Sequence, residues 1–199
     1  SRGLGDVYKR QGENMYQKMG LVVEGGGTKA AYTAGVLKAF LQEKIYIPYT
    51  VGISAGCEML ANYVSRQPYR LEVSGVEATS QPMVFGLKAY RKEGSLYGLE
   101  TTNAFIESKE KLDLEKFWSS SSKMDFGLYN LDTHQVEYFD KSHLDESQTL
   151  MIASCALLLL AHPYEFEGQR YMDAGLRDMI SIEPVSYTHL RAHETTLHL

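Results

Sequence analysis

A serine stands between glycines at residues 52–56 (GISAG), where an apolar strand-like run meets a helix-like run. A sharp strand-to-helix turn of the form G-x-S-x-G lifts the serine hydroxyl clear of the sheet. Gly52, Ala55 and Gly56 are small enough for the close backbone approach that such a turn needs. A helix beginning directly after Ser54 would also favour the negative charge that develops when a carbonyl is attacked. The pattern predicts a nucleophile at Ser54, and the competing interpretation is an ordinary serine in a glycine-rich turn.

Gly25, Gly26 and Gly27 form a second strand-to-helix junction. Consecutive glycines expose backbone N–H groups, which can hold an oxyanion or a phosphate. Lys29 follows them, and it either neutralises a phosphate, pins the glycine loop or is a solvated helix lysine. The stretch also fits the dinucleotide pattern G-x-G-x-x-A, with Glu43 as the residue that would accept a ribose hydroxyl. It is not a P-loop, because the G-K-[ST] ending is missing.

Asp173 precedes Ala174 and Gly175 at the end of another short strand-like run. A carboxylate at this point can act as a general base if its pKa suits the task, and a turn aspartate is the ordinary alternative. Catalytic groups of open α/β sheets collect at the carboxyl ends of strands. Ser54, Asp173 and the glycine-loop amides each follow a strand, so together they supply a nucleophile, a base and oxyanion donors.

The elements that must position these residues alternate along the chain. Apolar runs at residues 19–24 and 49–53 predict buried strands, and the patterns at 28–42 and 55–65 predict helices. This order predicts a parallel sheet with helices packed on it. The other predicted elements are a cap of helical pieces and loops at 67–99, a helix at 101–111, a strand pair at 125–131 and 135–139, a helix running into an apolar segment at 144–160, and a hairpin-like pair at 164–166 and 169–172.

Two apolar stretches allow more than one interpretation. Residues 151–161 could line an acyl pocket, although core packing is favoured because apolar helix-to-strand segments are usually core. The cap aromatics could touch a lipid interface, although local packing is again favoured. These aromatics are Tyr69, Phe85, Tyr90 and Tyr97.

The order EGGGTKAAYTAGVL, GISAG and YMDAG resembles the patatin-like phospholipase family, most closely a bacterial branch that reads EGGGxRGAYTAGVL, GxSAG and ASxALPLL…DGxxYxDGG. The resemblance covers nearly all of residues 19–184. It implies a three-layer α/β/α fold with a mainly parallel central sheet, and a Ser–Asp dyad that hydrolyses acyl esters of lipids without a metal or cofactor. Ser54 is then the nucleophile and Asp173 the base, with the oxyanion hole in the glycine-loop backbone. The resemblance places the oxyanion hole at Gly25, Gly26 and Gly27, and the residues that support the motifs are Gly52, Ala55, Gly56, Lys29 and Gly175.

The chain departs from the family pattern at three positions. Ala30 replaces the glycine after the basic residue, Leu158 replaces a proline, and Ala174 replaces the glycine after the base. Alanine at position 174 is harmful only if that backbone requires a positive φ. A non-catalytic lipid-binding protein on the same scaffold therefore stays an alternative, as does a dinucleotide-binding module.

Histidine is not expected to take part. An α/β-hydrolase triad places its histidine after its acid, and none follows Asp173 before residue 185. His162 is expected to be structural or pocket-lining, while His134 and His143 are expected to be ordinary turn and loop residues.

The composition is that of one globular domain, with 44% hydrophobic and 23% charged residues. A net charge of -5 argues against nucleic acid as a partner. Cys57 and Cys155 stand alone, which disfavours a zinc site or a disulfide scaffold.

No run reaches the roughly 18 apolar residues of a membrane span, and a cytoplasmic location is expected. The expected partner is a lipid or acyl-ester substrate, with transient membrane-surface contact; the pattern leaves the oligomeric state open.

Both ends have an unusual relation to each other. Back-translated in one way, residues 1–11 (SRGLGDVYKRQ) give DNA whose opposite strand, in a shifted frame, encodes VSYTHLRAHE at residues 185–194. Natural termini should not encode each other. Residues 1–11 and 185–199 are therefore expected to be sequencing-adapter artefacts around a natural domain at 12–184, truncated at its C-terminal end.

Overall fold

The structure is a computed structural model that describes residues 19–82 and 84–186. Its strands belong to one mixed sheet. They are β1 (Gly20–Val23), β2 (Tyr49–Ile53), β3 (Lys123–Asn130), β4 (Gln135–Asp140), β5 (Tyr164–Phe166) and β6 (Gln169–Asp173). The α-helices are α1 (Ala30–Gln42), α2 (Ala55–Val64), α3 (Pro68–Glu72), α4 (Leu87–Glu93), α5 (Leu99–Lys109), α6 (Leu114–Ser119), α7 (Thr149–Ser154) and α8 (Ile182–Val185).

The long strand β3 organises the sheet. β1, β2 and β3 run parallel, while β4 pairs antiparallel with β3 along its other edge. The edge that β2 occupies along the first half of β3 is continued by β6, which runs antiparallel to the second half. Ile53 lies opposite Gly127, and Asp173 lies opposite the next residue, Leu128. The carboxyl ends of β2 and β6 therefore meet head to head.

Helices cover both faces of this sheet. On one face, Phe126 and Leu128 pack in the main hydrophobic core with Leu60 of α2 and Met151 of α7. On the other face, Val185 of α8 packs in a smaller cluster with two side chains of β2. Burial of these apolar side chains stabilises the layers by removing them from water. The predicted three-layer α/β/α fold is confirmed, and β1, β2 and β3 form the parallel part of the sheet.

The predicted cap at 67–99 is a series of short helical pieces that a buried arginine attaches to the rest of the fold. Arg70 is fully buried. Its guanidinium donates to the Asn62 side chain on α2 at 2.7 Å and to the carbonyl of Glu110 at 2.6 Å. It also pairs with the Glu107 carboxylate on α5 at 2.8 Å. Because a buried charge is tolerated only with such partners, Arg70 fixes the cap against α2 and α5.

The cap aromatics differ in how much they pack against other side chains and how much they are exposed to solvent. Tyr97 packs against Phe85, with 6.4 Å between the ring centroids, which fits the favoured interpretation of local packing. Tyr69, Phe85 and Tyr90 nevertheless leave about half or more of their surface exposed. Their contact with a lipid interface stays a prediction.

The helix within residues 144–160 is shorter than the sequence predicts. The observed α7 covers Thr149–Ser154, preceded by a left-handed residue at Gln148 and followed by turns in which Leu159 has a φ of 70°. Left-handed backbone cannot continue a right-handed helix, so the apolar run forms turns instead. The helix α6 was not predicted. The Asp113 side chain caps it by accepting a hydrogen bond from the Lys116 amide at 3.0 Å.

The two expected tails fall largely outside the described residues. This applies to 1–11 and to 187–199, while Val185 and Ser186 lie at the end of α8. The boundaries of the natural domain stay a prediction. In the residues that the structure describes, no helix is long and apolar enough to cross a membrane.

Candidate active site

Ser54 occupies the turn between β2 and α2. Its backbone has φ 56° and ψ −133°, a combination that a residue with a Cβ rarely adopts and that costs about 1–3 kcal/mol. Tight packing around the turn holds it in place. A Cβ on Gly52 would come within 2.8 Å of the Cys57 backbone nitrogen, and one on Gly56 within 2.5 Å of the Val23 carbonyl oxygen. The two glycines of the motif are thus required by close backbone contacts.

Ser54 and Asp173 are brought together by the head-to-head meeting of β2 and β6. The Ser54 hydroxyl donates to Oδ2 of Asp173, with 2.5 Å between the oxygens. The other carboxylate oxygen accepts from the Gly175 amide at 2.7 Å. The Asp173 amide in turn donates to the carbonyl of Ala156 at 3.0 Å, which fixes the end of β6. Both side chains are 5% exposed, so their hydrogen bond is shielded from water.

The environment of Asp173 changes its acidity. Burial raises the pKa of its carboxyl, and the hydrogen bonds from Ser54 and Gly175 partly offset this effect. A carboxylate with a raised pKa accepts a proton more readily than a solvated aspartate does. The arrangement is therefore suited to general-base chemistry at a serine hydroxyl.

The glycine loop packs directly on Ser54. A Cβ on Gly25 would lie 2.8 Å from the Ser54 Cβ, so no larger residue fits there without movement. Gly27 has a φ of 53°, in the region that favours glycine. The loop then enters a short 3₁₀ turn that ends at the exposed Lys29. The glycine backbone therefore lies beside the serine, where oxyanion donors would be needed.

Two cavities lie near this pair of side chains: Asp173 lines one of them, and Ala55, the residue after Ser54, lines the other. One, of about 70 Å³, begins at Gly27 and Ala55 and continues along mainly apolar residues of α2, α5 and α7, including Met59 and Met151. The other, of about 220 Å³, is lined by Asp173, Leu158, Leu176 and Arg177 among others. Met151 lies in both a cavity wall and the core, and the interpretation of residues 151–161 as an acyl pocket stays a prediction.

Comparison of the sequence with known proteins identifies the family of this chain. Residues 21–186 match the sequence model of the patatin-like phospholipase family. The chain belongs to this family. Over 171 residues it is also 23% identical to YjjU, an uncharacterized protein of Escherichia coli K12. That match covers 83% of this chain and 48% of YjjU, so the chain spans about half the length of this curated relative.

The three departures from the patatin-like pattern fit the structure. Ala174 is fully buried in a 3₁₀ turn and has no positive φ, so glycine is not required there. Ala30 is small and buried at the beginning of α1. Leu158 is exposed in the turn after α7, where it lines the larger cavity.

Two histidines of this patatin-like chain, His143 and His162, have partners away from Ser54 and Asp173. His162 contacts the Ser95 hydroxyl at 2.8 Å and stacks on Tyr164, which are contacts typical of a structural residue. His143 lies within ion-pair distance of Asp140 and Glu167. Among residues 19–82 and 84–186, no hydrogen bond joins a histidine to Ser54 or Asp173, and no group of three or more His, Cys, Asp or Glu could hold a metal ion.

Arg177 lines the larger cavity, and none of the sequence motifs indicates it. It follows shortly after Asp173 in the sequence, but its proximity to the base depends on the 3₁₀ turn that follows β6. Sequence periodicity carries no signal for such a turn.

Replacing Gly52 with alanine is expected to destabilise the protein by about 2–3 kcal/mol and to remove activity. The added Cβ would meet the backbone of Gly56 and Cys57, which cannot rotate away. Gly35→Ala is the matched control, because Gly35 lies in α1 with open space around its Cβ position. That change should stabilise the protein by about 0.5–1 kcal/mol. Chemical denaturation of both variants measures the difference, and equal stabilities would contradict the close packing at Gly52.

Proposed function

We propose that this protein is a serine lipid acyl hydrolase, of the phospholipase A or esterase type, in which Ser54 is the nucleophile and Asp173 the general base. Membership of the patatin-like phospholipase family supports lipid hydrolysis. The observation that carries the assignment of residues is the 2.5 Å hydrogen bond between two buried side chains, one of which stands in a strained turn. Strain of this kind is typical of functional positions.

The proposed reaction begins with proton transfer. Oδ2 of Asp173 accepts the proton of the Ser54 hydroxyl while the serine oxygen attacks the carbonyl carbon of the ester. The carbonyl oxygen becomes an oxyanion beside the glycine loop, where backbone N–H groups of Gly26 and Gly27 would stabilise it. Each such donor contributes about 3–4 kcal/mol to catalysis in comparable sites.

The second half of the reaction reverses the proton movement. The tetrahedral intermediate collapses, the alcohol leaves with the proton that Asp173 held, and the acyl group stays on Ser54 as an ester. Water then attacks this acyl-enzyme, with Asp173 accepting one of its protons. Release of the fatty acid returns a proton to the serine oxygen. The proposed steps use side chains and backbone groups of this chain and require no metal or cofactor.

Hydrolysis of p-nitrophenyl esters from butyrate to palmitate tests this function. We expect the full chain to release p-nitrophenol, and the dependence on chain length to define the acyl preference. The same preparation is assayed for fatty-acid release from phosphatidylcholine vesicles. A folded protein without activity on either substrate would overturn the proposal and would favour the non-catalytic lipid-binding alternative.

The dinucleotide alternative receives no support from the site. It needs an acidic residue near the glycine loop to bind a ribose hydroxyl. Glu43 instead caps the C-terminal end of α1, a helix of 13 residues that begins at the loop. At 1.5 Å per residue, Glu43 lies about 20 Å from the glycines. Titration with NADH, followed by its fluorescence, is expected to show no binding.

A further inference from the structure

We infer that the alcohol part of the ester occupies the larger cavity. This inference rests on the proposed function. The proton that Asp173 takes from Ser54 must pass to the leaving oxygen, which therefore has to come within hydrogen-bond reach of the carboxylate. Asp173 lines the 220 Å³ cavity and is not among the residues that line the 70 Å³ cavity. An alcohol in the larger cavity would lie beside the residue that has to protonate it.

The smaller cavity is suited to the acyl chain. It begins at Gly27 and Ala55, next to the loop where the carbonyl oxygen would lie. Its further walls include Leu99, Ile106 and Ile152, which are apolar. An acyl chain is apolar along its length and gains free energy when it leaves water for such a surface. An acyl chain would pack along this apolar part of the wall, which also contains the polar side chains of Glu58, Thr102 and Asn103.

Arg177 places a positive charge in the wall of the larger cavity. It lines the larger cavity and its side chain is exposed. Within residues 19–82 and 84–186, no carboxylate lies within ion-pair distance of its guanidinium. The two nearest carboxylates in sequence have other partners: Asp173 accepts from Ser54 and Gly175, and Asp178 accepts from Tyr138 and Ser181.

We propose that Arg177 is a specificity-determining residue that binds an anionic group on the alcohol part of the ester, with phosphate as the best fit. The planar guanidinium presents paired N–H groups that match phosphate oxygens in a two-point contact. The neighbouring walls, Leu158 and Leu176, are apolar and would accept the carbon atoms between the ester and the anion. Arg177 thereby favours esters of phosphorylated alcohols over esters of neutral alcohols.

A pair of esters with the same acyl chain tests this inference. The probes are octanoyl-glycerol 3-phosphate and octanoyl-glycerol, which differ in the phosphate. For the wild type, we expect kcat/KM to be higher for the phosphate ester, and this preference to fall as salt is added. Arg177→Gln should raise KM for the phosphate ester by about ten-fold or more and leave the neutral ester within about two-fold. Arg177→Lys should restore part of the preference, because it keeps the charge and loses the paired contact.

Controls separate this inference from the proposed function. Arg91→Gln removes the same charge from the exposed last turn of α4 and should leave both KM values unchanged. Equal activity of Arg177→Gln and wild type on the phosphate ester, or an equal loss on both esters, would overturn the role of Arg177. A wild type without preference for the phosphate ester would overturn it as well. Ester hydrolysis that survives Ser54→Ala would instead reject the proposed function. Glycerol 3-phosphate that inhibits wild type and Arg177→Gln equally would show that the free headgroup binds elsewhere, and this too contradicts the inference.

Discussion

Ser54→Ala is expected to lower kcat for p-nitrophenyl ester hydrolysis by about 10⁴-fold or more, the size of loss seen when the nucleophile of a serine hydrolase is removed. The variant keeps the glycine loop and Asp173 but has no oxygen that can form the acyl-enzyme. The fold should persist, because the Ser54 side chain is small and its hydrogen bond goes to Asp173. Steady-state kinetics and circular dichroism of the same sample measure both effects.

Ser65→Ala is the matched control for this loss. Ser65 is fully buried at the other end of α2, and its hydroxyl donates to the Ala61 carbonyl at 2.8 Å. We expect this variant to lose about 1 kcal/mol of stability and to keep its kcat. A Ser54→Ala protein that retains more than about 1% of wild-type kcat would contradict nucleophilic catalysis by Ser54.

The positive φ of Ser54 affects the stability of variants at this position. Alanine at position 54 keeps the strain of the positive φ, since it still carries a Cβ, whereas glycine adopts this conformation readily. Ser54→Gly should therefore be about 1 kcal/mol more stable than Ser54→Ala, although both are inactive. Urea denaturation compares the two variants. A less stable glycine variant would show that the turn is not strained.

Asp173→Asn is expected to reduce kcat by about 10³-fold or more without destabilising the protein at neutral pH. Asparagine has nearly the same shape and can still accept from the Gly175 amide, but it cannot accept a proton from Ser54.

Burial raises the pKa of Asp173 in the folded protein, so the folded state holds its proton more tightly than the unfolded chain does. Wild-type stability therefore decreases as the pH rises from the unfolded pKa through the folded pKa. The asparagine variant lacks that decrease.

Steady-state kinetics and chemical denaturation of Asp173→Asn check this prediction. The free energy of unfolding of Asp173→Asn at neutral pH should equal or exceed that of the wild type. Asp132→Asn is the matched control, because Asp132 forms an exposed ion pair with Arg170, and we expect it to keep full activity. Strong destabilisation of Asp173→Asn alone would mean that the carboxylate supports the fold rather than the reaction.

The activity of the wild type should also report the pKa of Asp173. A protonated carboxyl cannot accept the serine proton, so kcat/KM should fall on the acidic side. The midpoint of this fall should lie above the usual aspartate value of about 3.9, because burial raises this pKa. A midpoint at or below that value would contradict a buried base.

Much of the site could be predicted from local patterns, because each motif carries its own chemistry. The sequence predicts a turn at Ser54 and a carboxylate at Asp173; Ser54 directly follows β2, and Asp173 is the last residue of β6. Their proximity depends on the register of β2 and β6 on β3, which no local pattern encodes. The conformation of Ala174, the short α7 and the position of Arg177 likewise depend on tertiary packing around turns. Intrinsic propensity does not determine such turns.

Labelling with a fluorophosphonate probe tests whether Ser54 is a nucleophile that Asp173 activates. Such a probe reacts with an activated serine and leaves a stable phosphonyl adduct, which peptide mass spectrometry can locate. We expect one adduct on the wild type, at Ser54, and a large loss of labelling rate in Asp173→Asn. An adduct on another residue, or equal labelling of wild type and Asp173→Asn, would contradict a nucleophile at Ser54 that Asp173 activates.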